Sequence, residues 1–176
     1  MKLDMNKILL IISIAGLVLS GKLLSDPFLK PLDKSLPVDC IIIKKSKRTL
    51  ELYSTGNLLK SYKISLGKNP IGAKRFLGDN KTPEGNYFIK GKYQKSRFHK
   101  SLWISYPEQK DIEYAAKNSR DPGGEILIHG LTNGFSLLGR AHLLSDWTRG
   151  CIAVTNKEID ELYDAIKQGT AVEIRP

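Results

Sequence analysis

From Cys40 to Gly67 the chain reads CIIIKKSKRTLELYSTGNLLKSYKISLG, and this stretch constrains the fold more than any other. Residues 40–44 read as a strand around three consecutive isoleucines, and TLELY alternates with period two. STGN has the composition of a tight turn, and LLKSYKISLG then resumes the alternation. A period of two buries one face only in an extended strand, so the pattern predicts an antiparallel meander with a basic outer face.

The remainder is punctuated in the same way. KNPIGAKRFLGDNKTPEGNYFIKGKY carries closely spaced Gly and Pro, which predicts long loops before a strand at Tyr87–Lys90, and SLWISY predicts another strand. In PEQKDIEYAAKNSRDPGG, Ile112, Ala115 and Ala116 recur at helical spacing and predict one to three helical turns, stopped by DPGG. EILIH is a short strand ending in His129. GLTNGFSLLGRAHLLSDWTRG is too rich in Gly for one long element, with a short helix around Leu138–Leu144. CIAV is a strand. Thr155 or Asn156 caps a helix over KEIDELYDAIKQG, which Gly169 ends, and TAVEIRP is the last strand. The fold class is mainly β with a few short helices, preceded by an N-terminal hydrophobic helix.

That N-terminal segment reads MKLDMNK, then ILLIISIAGLVLS, then GKLL. A basic stretch before an uncharged run is an export-signal pattern. The run is short for a span of about 20 residues, although Lys22 can snorkel and Leu23 and Leu24 extend it. The expected organisation is a basic segment at 1–7, a signal-anchor or signal peptide at 8–24, a linker with three prolines at 25–37 and one catalytic domain at 38–176. An uncleaved anchor is preferred to a cleaved peptide. The domain would then face the periplasm or the cell exterior, anchored in the inner (cytoplasmic) membrane through residues 8–24, or be secreted if the signal is cleaved.

The net charge of +10 is unevenly spread. Between Lys60 and Lys100 eleven Lys or Arg stand against Asp79 and Glu84. A basic surface attracts anionic polymers such as nucleic acid or cell wall, and an export signal argues against nucleic acid. Evenly solvated lysines are the alternative, and a non-catalytic cell-wall-binding module is a further reading of the same lysine-rich region. No metal site is expected, because the two cysteines have no close His. No cofactor is implied.

The segment DWTRGCIAVTN, residues 146–156, carries the question of function. Cys151 is either a buried small hydrophobe or a nucleophile, and a thiol attacks only as thiolate. His129, at a strand end and followed by Gly130, is a candidate general base or a structural histidine. Gly150 allows a close backbone approach, and the N–H groups of Gly150 and Cys151 are oxyanion-hole candidates. Arg149 either lowers the thiol pKa, binds a carboxylate or is a loop charge. Trp147 lines a groove or packs the loop, and Asp146 caps a turn or pairs with Arg149. Thr148, Asn133 and His142 are further candidates for shaping the site. His99 is read as a solvated surface residue.

IHG at residues 128–130, TRGC after seventeen intervening residues, IAVTN, and the upstream GDNKTPEG together resemble the L,D-transpeptidase catalytic domain (YkuD) family. SLWISYP, DPGGEILIHGLTNG and GTAVEIRP also fit, in the same order. The resemblance implies a catalytic β-sandwich. It also implies Cys151 as nucleophile, and His129 as base oriented by the Gly130 carbonyl. The substrates implied are peptidoglycan stem peptides, with a wall-linked lipoprotein as a further partner. The commoner pattern has His at position 149 and Arg at position 153, where this chain has Arg149 and Ala153. The segment instead resembles a branch acting on the peptidoglycan–lipoprotein linkage. Amine and water both stay open as acyl acceptor.

Overall fold

A computed structural model describes residues 32, 33 and 35–176. Strands β1 (Cys40–Lys44), β2 (Thr49–Ser54) and β3 (Asn57–Lys63) form an antiparallel meander. In β1, Ile41 and Ile43 are wholly buried while Cys40, Ile42 and Lys44 are half-buried, which is period two at work. Thr55 (φ 46°) and Gly56 (φ 79°) make the two-residue turn between β2 and β3, where positive φ at both positions matches the twist of the flanking strands.

Strand β4 (Gly85–Ser96) organises the rest, together with β5 (His99–Ile104), β6 (Leu127–His129), β7 (Ile152–Ala153) and β8 (Ala171–Arg175). The strand order is β3-β2-β1-β8-β4-β5-β6-β7. β8 lies between β1, to which it is parallel, and the first residues of β4, to which it is antiparallel. The second half of β4 pairs with β5, with register shifts between Ile89 and Gly91 and between Tyr93 and Ser96. Such irregularities bend a strand, and here they let one strand serve both halves of a mainly β, sandwich-like fold. One apolar cluster joins the halves, running from Ile43, Leu50 and Ile64 to Leu102, Ile128 and Ile152.

Helix α1 (Gln109–Lys117) differs from its sequence pattern: Ile112 is 44% exposed, while Asp111 and Ala115 face inward. Asp111 accepts hydrogen bonds from the Glu108 N–H at 3.0 Å and the Tyr87 hydroxyl at 3.2 Å, so a polar contact sets the helix rotation. Helix α2 (Asn156–Ala165) starts at a capping box. Thr155 Oγ1 accepts from the Glu158 N–H at 3.2 Å, and Glu158 Oε2 accepts from the Thr155 N–H at 2.9 Å. It ends before Gly169 because Ile166 turns extended and is fully buried. α2 packs on β5 and β6 through Ile159 and Leu162, which holds β6 in place. The helix expected around Leu138–Leu144 is two short 3-10 turns, Ser136–Leu138 and Ala141–Leu144.

The membrane expectation is corrected. No helix among the described residues is long and apolar enough to cross a membrane. Membrane contact through residues 8–24 and anchoring in the inner membrane are therefore not supported. Residues 8–24, the segment that motivated the expectation, and the N-terminal helix expected there lie outside the described residues.

Candidate functional site

Two short parallel strands carry the site. β6 and β7 pair with Ile128 opposite Ile152 and His129 opposite Ala153. Residues of equal parity share a face of a sheet, and Cys151 immediately precedes β7. His129 and Cys151 therefore lie on one face, two residues out of register. Both line a cavity of about 900 Å³.

His129 is 1% exposed. Its Nδ1 lies 2.6 Å from the Gly130 carbonyl oxygen. A carbonyl only accepts, so Nδ1 carries the proton and Nε2 keeps a lone pair. The ring stacks on Phe98 (centroids 4.2 Å apart) and meets Trp147 edge-on at 5.8 Å. Burial pushes its pKa down from an ordinary 6.5 to about 4, against the Gly130 hydrogen bond, which raises it. Gly130 is required by a close approach: a Cβ there would lie 2.5 Å from Asn156 Oδ1, which itself accepts the Leu131 N–H at 2.8 Å.

Cys151 is half-buried, and its Sγ accepts from the Leu127 N–H at 3.4 Å. Burial pushes the thiol pKa up. The Leu127 N–H and the positive charges of Arg97 and Lys74 pull it back, while Glu125 adds to the rise. At rest the thiol and the imidazole that line this cavity are thus both neutral. Of these cations acting on the thiol, Arg97 comes first and Lys74 second, and the sequence reading did not single out Arg97.

The loop before Cys151 is fixed by Thr148. Its hydroxyl donates to the Cys151 carbonyl at 2.7 Å and accepts the Gly150 N–H at 3.1 Å. Of the two N–H groups considered for an oxyanion hole, that of Gly150 is already engaged. Gly150 itself has φ 130°, and a Cβ there would lie 2.5 Å from the Lys81 carbonyl oxygen. The GDNKTPEG segment therefore packs its backbone directly against the nucleophile loop.

The other candidates divide. Trp147, Thr148 and Arg149 line the cavity. Asn133 instead braces the β4–β5 hairpin, donating to the Ser96 carbonyl at 3.1 Å and accepting the His99 N–H at 3.0 Å. His142 is buried with Nδ1 2.7 Å from the Gly139 carbonyl oxygen and Nε2 3.2 Å from that of Val154. It lines a neighbouring apolar hollow of about 300 Å³ that shares Thr132 and Trp147 with the main cavity. Asp146 pairs with Arg48 at 2.6 Å and accepts the Leu66 N–H at 2.9 Å, rather than pairing with Arg149. His99 is half-buried and lies 2.9 Å from Asp160. Among the described residues no cluster of three or more His, Cys, Asp or Glu could hold a metal ion. Arg97 and Phe98 were missed by the sequence reading; the available signal was an aromatic flanked by cations between two strands, in SRFHKS.

A thiol and an imidazole on one face of a parallel strand pair, opening into a cavity, are the parts of a cysteine acyl-transfer enzyme. The chain belongs to the family described as L,D-transpeptidase catalytic domain, whose model matches residues 39–174. It is 33% identical over 132 residues to YafK of Escherichia coli, a protein named as a putative L,D-transpeptidase, covering 72% of this chain and 46% of that one. It is 30% identical over 140 residues to YkuD of Bacillus licheniformis, named in the same way, covering 77% of this chain and 65% of that one. Among solved structures, the helical cell shape determining protein Pgp2 of Campylobacter jejuni matches with a TM-score of 0.58 and 25% identity, over 78% of this chain and 47% of that one. The chain spans about half the length of YafK and of Pgp2. Membership of this catalytic-domain family supports a cysteine-based acyl-enzyme mechanism for the domain.

Proposed function

We propose that the protein is a peptidoglycan L,D-transpeptidase with Cys151 as nucleophile and His129 as base. The observation that carries this is the placement of both side chains on one face of β6–β7, with His129 Nδ1 held by the Gly130 carbonyl and both lining one cavity. Cys151 Sγ attacks the carbonyl between the third stem residue and a terminal D-Ala. His129 Nε2 takes the thiol proton as the C–S bond forms, since no thiolate is stored at rest. The proton passes to the D-Ala nitrogen, D-Ala leaves and a thioester remains. An amine of a second stem peptide attacks the thioester, restores the thiol and leaves a cross-link between two third-position residues. The domain performing this would be residues 38–176.

The WTRGCIAVTN segment, with Arg149 and Ala153, favours the branch that acts on the peptidoglycan–lipoprotein linkage. That supports a second reading, in which water resolves the thioester and the enzyme is a carboxypeptidase or amidase. Incubation of the full chain with defined tetrapeptide muropeptides separates them by product mass. Dimers mark transfer and tripeptides alone mark hydrolysis. Turnover that persists in Cys151→Ala would refute both.

A further inference from the structure

The cavity around Cys151 is lined by three cationic side chains, Lys74, Arg97 and Arg149, and one acidic one, Glu125. Lys74 is buried and already paired with Asp79 at 3.0 Å, and it also donates to the Phe76 carbonyl. Arg97 and Arg149 are exposed, and neither has an ion-pair partner among the described residues. They come from different elements, the β4–β5 hairpin and the loop before β7.

Arg97 is held on a braced support. Its guanidinium carbon lies 4.6 Å from the Phe98 ring centroid, and that ring stacks on His129. Its carbonyl accepts the Asn133 N–H at 2.9 Å, and the Phe98 N–H donates to Ser96 Oγ at 3.1 Å. His99, next in the chain, is tied to Asp160. Fixing the hairpin removes much of the ordering cost that a flexible arginine would bring to binding. Its charge acts on both His129 and Cys151, which places it close to the reacting groups.

We propose that Arg97, acting with Arg149 across the cavity, holds a carboxylate of the donor stem peptide and so selects anionic donors. This rests on the proposed function and names a specificity residue for it. A guanidinium fork suits a carboxylate, and two unpaired cations in one cleft favour an anion there. Two sources supply one. The terminal carboxylate of the departing D-residue lies one residue beyond the scissile carbonyl, a step of about 3.5 Å. A side-chain carboxylate on the third residue is the other.

The test is calorimetric binding of tetrapeptide donors to the full-length Cys151→Ala protein, with and without Arg97→Gln. Arg97→Gln is expected to weaken binding of the free-acid donor about tenfold, a difference of about 1.4 kcal/mol. Arg97→Lys, which keeps the charge without the fork, should fall between. The Arg97→Gln effect should vanish for a C-terminal amide if the terminal carboxylate is the ligand. It should vanish for a donor amidated on its third side chain if that carboxylate is the ligand. An equal loss on all three donors would show that Arg97 only supports Phe98, and no loss on the free acid, or no binding of it at all, would also overturn the proposal. Turnover of the same donors by the chain with Cys151 intact reads the proposed function separately.

Discussion

Replacing His129 by Gln tests the burial of the imidazole. His129 titrates at about 4 in the folded chain against an ordinary 6.5. Between those values the unfolded chain binds the proton and the folded chain does not, so stability rises with pH across the window. It is fully present above pH 6.5 and is lost as pH falls toward 4. At about 1.4 kcal/mol per pKa unit, the difference of roughly 2.5 units corresponds to about 3 kcal/mol. The ring is almost fully buried, so solvent screening does not reduce the figure. Urea denaturation followed by tryptophan fluorescence, at a series of pH values from about 7 to about 4, measures it. The chain with His129 should lose about 3 kcal/mol more than His129→Gln over that range. The comparison removes pH effects that do not involve position 129. Stability curves that run parallel within about 1 kcal/mol would show that the imidazole is solvated when folded, and the neutral resting pair would fall with it.

Three other substitutions probe the scaffold. Gly150→Ala puts a Cβ 2.5 Å from the Lys81 carbonyl at φ 130°, so turnover should fall at least a hundredfold with a visible drop in melting temperature. Thr148→Val removes the donor to the Cys151 carbonyl and the acceptor of the Gly150 N–H; a loss of about 2 kcal/mol in denaturant titration and a lower kcat are expected. Lys45 is buried and donates to the Gly72 and Thr82 carbonyls and to Glu84, so Lys45→Met should cost about 3 kcal/mol and loosen the segment packed on Gly150. Wild-type stability in that variant would show that the lysine is not a brace.

Local chemistry was the legible part of the fold. The meander over residues 40–63 follows from period two and the Thr55–Gly56 turn, and α2 follows from the Thr155–Glu158 capping box. What could not be read depended on contacts distant in sequence. The inward face of α1 is set by Tyr87 meeting Asp111 across 24 residues. Asp146 is claimed by Arg48, 98 residues away, so its neighbour Arg149 is left unpaired. The order of motifs proposes Cys151, His129 and Gly130 as the reacting set, but says nothing of the protonation state of the pair. Proximity of a cation to Cys151 in sequence suggested a lowered thiol pKa, whereas burial, a property of the assembled cavity, raises it. Arg97 and Phe98 could not be placed at the site because only the pairing of β4 with β5, and of β5 with β6, carries their hairpin to His129.

These charges also bear on the acceptor. A donor carboxylate held between Arg97 and Arg149 leaves the cavity with the departing D-residue, if the terminal carboxylate is the one bound. The thioester then shares the cavity with two guanidinium groups that have no ion-pair partner among the described residues. Like charges disfavour an ammonium, so an entering amine is shifted toward its neutral, nucleophilic form. The same field favours the oxyanion of the second tetrahedral intermediate, which matters because the Gly150 N–H is already engaged by Thr148. Water gains from the second effect and has no need of the first. An acceptor amine must also overcome the repulsion of its charged form on entry, and Glu125, the one acidic residue lining the cavity, is placed to offset it. On the proposed reaction, Glu125 and the two arginines are the groups that would distinguish an amine from water, because the Cys151–His129 pair would serve both outcomes alike.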